Sequence, residues 1–298
     1  MNAAIIPIVT AITVKRILYA TDFSEPSRAA LPVVSAIARR YGAEVYAANV
    51  RSPLPYTMYS PEAVCTVDNQ REREAREEMG KLLHRPEMEG LAVSIVVESG
   101  DPAEELKRMV RDLDIDLVVV ATHGRTGVMR FLMGSLAEEL FRNLRVPVLT
   151  VGPRLSPRFA AIKAVKTILY ATDLSSDSRV MFPFVASLAA EYRSKIVLLH
   201  TIPASEALDA NAMELAARVR RQMQKLFDGE IDPRCEVEIV IDFGDTAERI
   251  LNTAHECQAD VVAFGVRPAV EAGLHFRNTV AYKVILEAEC PVLTSRLG

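Results

Sequence analysis

The stretch ATHGRTGVMRFLMGS, Ala121 to Ser135, sets three glycines, two arginines and a closing serine between an apolar run and a helical one. Those residue types suit an anion with several oxygens. Glycine lets the backbone turn its N–H groups inward with no Cβ in the way, and Gly124, Gly127 and Gly134 are placed to do so. A helix opening near Ser135 adds free N–H groups and partial positive charge, the Ser135 hydroxyl is a further donor, and Arg125 and Arg130 are available charges. No lysine follows the Gly134-Ser135 pair, so this is not a Walker A loop, and GxGxxG spacing for a dinucleotide is absent.

Other chemistry-bearing residues are sparser. Asp22, just past an apolar run, is open to two roles: a ligand contact, or a cap on the helix that follows Ser24. His123 has no serine and carboxylate arranged around it as a hydrolytic triad. No residue reads as a general base, so efficient turnover is not expected, while slow hydrolysis stays open. Cys65, Cys235, Cys257 and Cys290 stand far apart with no CxxC and no histidines at ligand spacing, which reads as reduced thiols and no zinc site. Val128, Met129, Phe131, Leu132 and Met133 read as packing residues, and Tyr56, Met58 and Tyr59 as a lid or an interface.

The elements that must position these groups alternate. RILYAT, EVYAANV, VSIVVES, LVVVAT and PVLTVG read as strands separated by amphipathic stretches, which implies an open parallel α/β sheet with helices on both faces. LVVVA is apolar at consecutive positions, as burial on both faces requires. Asp101 followed by Pro102 reads as a helix cap, with Ala103, Leu106, Val110 and Leu113 on one face. The charge-rich residues 72 to 85 read as a solvated helix with Leu82 and Leu83 on its buried side. With strand order 3-2-1-4-5 the order reverses between the first and fourth strands, and ligands of open α/β sheets bind at such a carboxyl-edge reversal. Asp22 then faces Gly124 across the crevice.

The pattern occurs twice. KRILYATDFS, starting at Lys15, is answered by KTILYATDLS, starting at Lys166, with Asp173 standing to Asp22 at an offset of 151 residues. Later anchors match at an offset of 144: Gly100-Asp101 with Gly244-Asp245, and VPVLT from Val146 with CPVLT from Cys290. Residues 1–153 and 165–298 are therefore expected to be tandem domains, with Pro153 to Val165 as linker. Pro32 and Pro183 fall at matching sites inside the first helix of each copy, where a proline is expected to kink the axis at a cost of ~3 kcal/mol.

Composition bounds the function. A chain that is 50% apolar and 25% charged is an ordinary globular one, and its formal net charge of −4 supplies no basic footprint for DNA or RNA. The opening MNAAIIPIVTAITV lacks the basic start and small-residue cleavage site of a signal peptide and is too short to span a bilayer. It reads as an extended arm packed on a neighbour, in a cytoplasmic protein.

ILYATDFSEPSRAAL, SGDPAEEL and ATHGRTGVMRFLMGSLAEEL together resemble the universal stress protein family in its tandem form, once per half and over nearly the whole chain. The resemblance implies a Rossmann-like, adenine nucleotide alpha hydrolase-like domain and ATP as ligand, with Mg²⁺ on the phosphates. The family's ATP-binding members carry G-2x-G-9x-G-(S/T). Its positions fall here on Ala121, Gly124, Gly134 and Ser135, so one glycine departs by a methyl group. By the same resemblance Asp22 lies beside the nucleoside, Ala20 and Val50 border the adenine, and Val120, Ala121, Gly124, Gly134, Ser135 and Leu136 complete the site; Thr21, Arg125 and Gly127, from the same two loops, are counted with them. The second half has GVRPAVEAGLHFRNT, keeping Gly265 but placing Pro268 and Asn278 at later glycine positions and Thr279 at the serine. The expectation is an asymmetric pair forming an intramolecular pseudo-dimer, with the edge strands PVLTVG and PVLTS paired and a possible homodimer beyond it. The first copy binds ATP and couples energy or stress state to protein partners. The alternative is a nucleotide-independent, chaperone-like scaffold.

Overall fold

The computed structural model describes residues 12–54, 61–122, 135–175, 180–207, 211–266 and 279–296. By contacts the chain divides into two units: Val14–Pro153 joined by Pro157–Lys163, and a C-terminal unit made of the rest, to which Ile12 and Thr13 belong.

In the N-terminal unit β1 (Arg16–Ala20), β2 (Glu44–Arg51), β3 (Val93–Ser99), β4 (Leu117–Ala121) and β5 (Val148–Val151) are parallel, in the order β3-β2-β1-β4-β5. The central strands are buried on both faces: Ile17 to Tyr19 and Leu117 to Val120 are at most 3% exposed, as consecutive apolar residues dictate. Helices α1 (Glu25–Ala29), α2 (Leu31–Tyr41), α3 (Pro61–Leu83), α4 (Pro102–Asp112) and α5 (Ser135–Asn143) connect them. Asp101 caps α4 as its sequence announces, accepting from Ala103 N and Glu104 N at 3.0 Å. On α3 the buried stripe is Ala75, Met79 and Leu82, while Leu83 is only half-buried.

The C-terminal unit repeats this with β6 (Thr167–Ala171), β7 (Lys195–Ile202), β8 (Val237–Phe243), β9 (Val261–Val266) and β10 (Val292–Arg296), ordered β8-β7-β6-β9-β10 and again parallel. Its helices are α6 (Phe182–Tyr192), α7 (Ala204–Ala207), α8 (Ala212–Phe227), α9 (Thr246–Glu256) and α10 (Val280–Glu287). The repeat extends to backbone detail. Asp116 Oδ2 accepts from Lys15 N and Arg16 N at 2.7 and 2.9 Å, and Asp260 Oδ2 from Lys166 N and Thr167 N at 2.6 and 3.1 Å. Each carboxylate ties down the start of its unit's first strand.

Two expectations are corrected. Pro32 and Pro183 do not interrupt helices: a break at Ala30 separates α1 from α2, and each proline sits in the first turn of α2 or α6. A first-turn N–H has no partner inside a helix, so the missing donor costs nothing and the fixed φ favours initiation. The stretch Pro153 to Val165 is not merely a connection either. It contains a 3₁₀ turn, Pro157–Ala161, whose Phe159 is 1% exposed and which packs on α2.

Candidate functional site

β1 is the strand from which the order reverses. One side pairs with β2, Ala20 opposite Ala48, and the other with β4, Tyr19 opposite Val119. Continuing both registers past Ala20 brings the residues after β1 to the carboxyl edge beside Asn49, Val50 and Ala121.

Those residues form a tightly held turn. Phe23 has φ 64°, a left-handed conformation that costs a non-glycine residue ~1 to 2 kcal/mol. Two side chains fix it: Thr21 Oγ1 accepts from Phe23 N at 3.0 Å, and Asp22 Oδ1 from Ser24 N at 3.1 Å. Thr21 Oγ1 also bonds Ser27 Oγ at 3.0 Å. Tyr19 donates its hydroxyl to Ser27 O at 2.7 Å, and burial pushes its pKa up to about 12, so it stays a neutral donor. On the other side Asn49 Nδ2 donates to Thr21 O at 2.8 Å, with both residues buried. Strain held by this many groups marks a place where a particular backbone shape is required.

Asp22 is not the cap of α1. Ser24 is the cap of α1, its Oγ accepting from Ser27 N at 3.3 Å. Asp22 orders the residue before that helix and is left partly exposed at the sheet edge.

The C-terminal unit builds the same turn with Leu174 in place of Phe23. Leu174 has φ 61°, Thr172 Oγ1 accepts from Leu174 N at 3.0 Å, and Asp173 Oδ1 accepts from Ser175 N at 3.0 Å and Ser175 Oγ at 2.6 Å. His200 stands where Asn49 does, its Nδ1 2.8 Å from Thr172 O. A carbonyl can only accept, so Nδ1 carries the proton.

Of the remaining site residues, Ala20, Thr21 and Val120 are buried, while Val50, Ala121 and Leu136 are half-buried. Ser135 opens α5. Gly124, Arg125, Gly127 and Gly134 lie outside the described residues, as do Arg130, His123, the apolar residues Val128 to Met133, and Tyr56, Met58 and Tyr59. So do Pro268 and Asn278 of the second half, whereas Thr279 caps α10 by accepting from Tyr282 N at 3.3 Å. Tyr19, Ser27 and Asn49 escape sequence reasoning. For Asn49 a signal exists, because duplication sets a side-chain donor, His200, at the same place.

Arg51, at the end of β2, is 92% buried by side chain and pairs with Asp68 at 2.7 Å and Glu72 at 3.5 Å, fastening α3 behind the site. Ile202 ends the matching strand in the C-terminal unit. Among the described residues no group of three or more His, Cys, Asp or Glu could hold a metal ion, and no helix is long and apolar enough to cross a membrane.

Comparison with known proteins bears on the family and the fold. The model of the universal stress protein family matches residues 13–152 and again 164–296. A universal stress protein of Methanocaldococcus jannaschii, MJ0531, is 32% identical over 138 residues, which are 46% of this chain and 81% of that protein. A second from the same organism, MJ0577, is 28% identical over 152 residues, 46% of this chain and 94% of its own length. The crystal structure of a universal stress protein from Archaeoglobus fulgidus DSM 4304 shares the fold with a TM-score of 0.72, covering 96% of this chain and 100% of that one at 16% identity. With one family match in each repeat, the chain belongs to the universal stress protein family.

Proposed function

We propose that the N-terminal unit binds ATP and that the occupied state is read by protein partners in a cytoplasmic stress response, the C-terminal unit serving mainly as a structural partner. The observation that carries this reading is the strained, multiply bonded turn of Thr21 to Ser24, which holds the Asp22 carboxylate at the strand-order reversal.

The residues fit the ligand. Asp22 offers acceptors to ribose hydroxyls, and Ala20, Val50 and Ala121 give an apolar border for a base. Helix α5 opens at Ser135, and a helix N-terminus favours an anion through its first N–H groups and partial positive charge. Between them the sequence supplies Gly124, Gly127, Gly134 and Arg125 as the phosphate loop. Mg²⁺ enters on the phosphates and supplies charge neutralisation there. In the C-terminal unit the Asp173 turn persists, but Pro268 lacks the N–H that a glycine gives, and losing one donor to a charged ligand costs about 1.5 to 3 kcal/mol.

Titration of the purified chain with MgATP, with Gly124→Val as the loop-blocked control, tests the reading. Saturable binding that the variant loses supports it. Absence of binding in both proteins overturns it and leaves a nucleotide-independent scaffold.

A further inference from the structure

α3 is held to its unit in two different ways. Its second half packs by an apolar stripe, Ala75, Met79 and Leu82, each at most 6% exposed. None of Val64 to Glu74 is buried, so the first half has no such anchor among the described residues. Charged groups tie it down instead. Arg51 Nη1 donates to Asp68 O at 2.9 Å and to Asp68 Oδ1 at 2.7 Å, and Arg51 Nη2 lies 3.5 Å from Glu72 Oε2. Arg71 Nη1 adds a bond to Ser52 O at 3.1 Å.

Arg51 is the last residue of β2, next to Val50 at the carboxyl edge, and Ser52 follows it. The connection that leaves the sheet there is thus tied at both feet. Fixing the base of a connection removes conformational freedom before any ligand arrives, which is how a preformed site gains affinity.

The duplication shows that packing alone does not demand these charges. The offset of 151 residues that sets Asp22 on Asp173 sets Arg51 on Ile202, which is 2% exposed. The later offset of 144 sets Leu83, the end of α3, on Phe227, the end of α8, and the stripe residues Ala75 and Met79 on Val219 and Met223, both buried. In that register Asp68 and Glu72 fall on Ala212 and Ala216. The stripe is kept in both units, while all three charged residues have apolar counterparts in the second. Arg51 Nε, moreover, is buried with no hydrogen-bond partner among the described residues. A buried charge satisfied this incompletely brings little stability over an apolar side chain. The unit that retains it is the one that keeps Gly124 and Gly134, where the other has Pro268 and Asn278.

We propose that Arg51, Asp68 and Glu72 form a latch belonging to the nucleotide-binding unit, with Arg51 as a positioning residue that pins the connection between β2 and α3 beside Val50 and so preforms the adenine side of the site. This role rests on ATP binding by the N-terminal unit, and the test separates the two. The parent chain is compared with Arg51→Lys and with a triple variant, Arg51→Ile with Asp68→Ala and Glu72→Ala, which copies the C-terminal unit and leaves no buried charge unpaired. Each is followed by MgATP titration, urea denaturation and hydrogen exchange. The triple variant is expected to keep the parent's urea midpoint, to bind MgATP about tenfold more weakly, and to exchange about tenfold faster over Val64 to Glu74 while Ala75 to Leu82 stay protected. Arg51→Lys retains the charge and recovers part of the affinity. Parental affinity in the triple variant overturns the latch and leaves the nucleotide reading standing. Affinity lost only together with a lowered urea midpoint also overturns it, because that reports a role in stability alone. A parent chain that binds no MgATP overturns the nucleotide reading and the latch's role with it.

Discussion

Replacing Asn49 by leucine removes one donor and keeps the side-chain volume. The bond lost is Asn49 Nδ2 to Thr21 O, 2.8 Å long, between residues 7% and 5% exposed. A buried acceptor deprived of its donor costs ~1 to 3 kcal/mol. The Thr21 carbonyl belongs to the residue whose Oγ1 holds Phe23 in its left-handed conformation, so the loss also reaches the Asp22 turn. Urea denaturation should show the N-terminal unit destabilised by ~1 to 3 kcal/mol, and MgATP titration a dissociation constant raised about tenfold, since ~1.4 kcal/mol is a factor of ten. Asn49→His provides the decisive control, because His200 makes the same bond to Thr172 O at 2.8 Å. Histidine should restore most of what leucine loses. If Asn49→Leu matches the parent in both assays, or Asn49→His is no better than leucine, the turn is not held as described.

Three further outcomes follow from duplicated positions. Arg193 ends α6 with φ 56° where Gly42 ends α2 with φ 65°, so Arg193→Gly removes a left-handed penalty and should stabilise the C-terminal unit by ~1 kcal/mol in denaturant melts. Gly244 has φ 134°, whereas at Gly100 an added Cβ meets only the flexible Glu105 side chain, 2.8 Å from its Cγ. Gly244→Ala should therefore cost ~1 to 3 kcal/mol and Gly100→Ala clearly less, and equal losses would contradict the backbone argument. Burial raises the pKa of Tyr19 from an ordinary 10.0 to about 12 and raises that of Tyr170 as well, with the Asp173 charge adding to the latter. A raised folded pKa means stability fully present below about pH 10 and lost as pH rises through about 12, worth about 3 kcal/mol for Tyr19 at ~1.4 kcal/mol per pH unit. Tyrosinate absorbance followed beside circular dichroism should show both phenols ionising only as the helices melt.

Much of the architecture is written in local pattern. VSIVVES coincides with β3, LVVVA with β4, and Asp101-Pro102 with the start of α4, because alternation, double-sided burial and capping each leave a signature within a few residues. The matched Asp22 and Asp173 make the duplication legible too. What stays hidden depends on partners distant in sequence or on conformations that the residue type does not announce. Phenylalanine and leucine give no hint of positive φ, yet Phe23 and Leu174 both adopt it. Asn49 in an apolar strand looks like a surface position until its partner, 28 residues away, is seen. The break at Ala30 is invisible to periodicity, which is why Pro32 reads as a kink when it starts a helix. Phe159 sits among prolines and basic residues, so its burial against α2 has no local cue.

The most direct measurement of the central claim is a calorimetric MgATP titration of the intact chain beside Asp22→Ala and Asp173→Ala. The account predicts one nucleotide per chain, abolished by Asp22→Ala and kept by Asp173→Ala. Two nucleotides per chain, or binding that survives the loss of Asp22 and vanishes with that of Asp173, would contradict it.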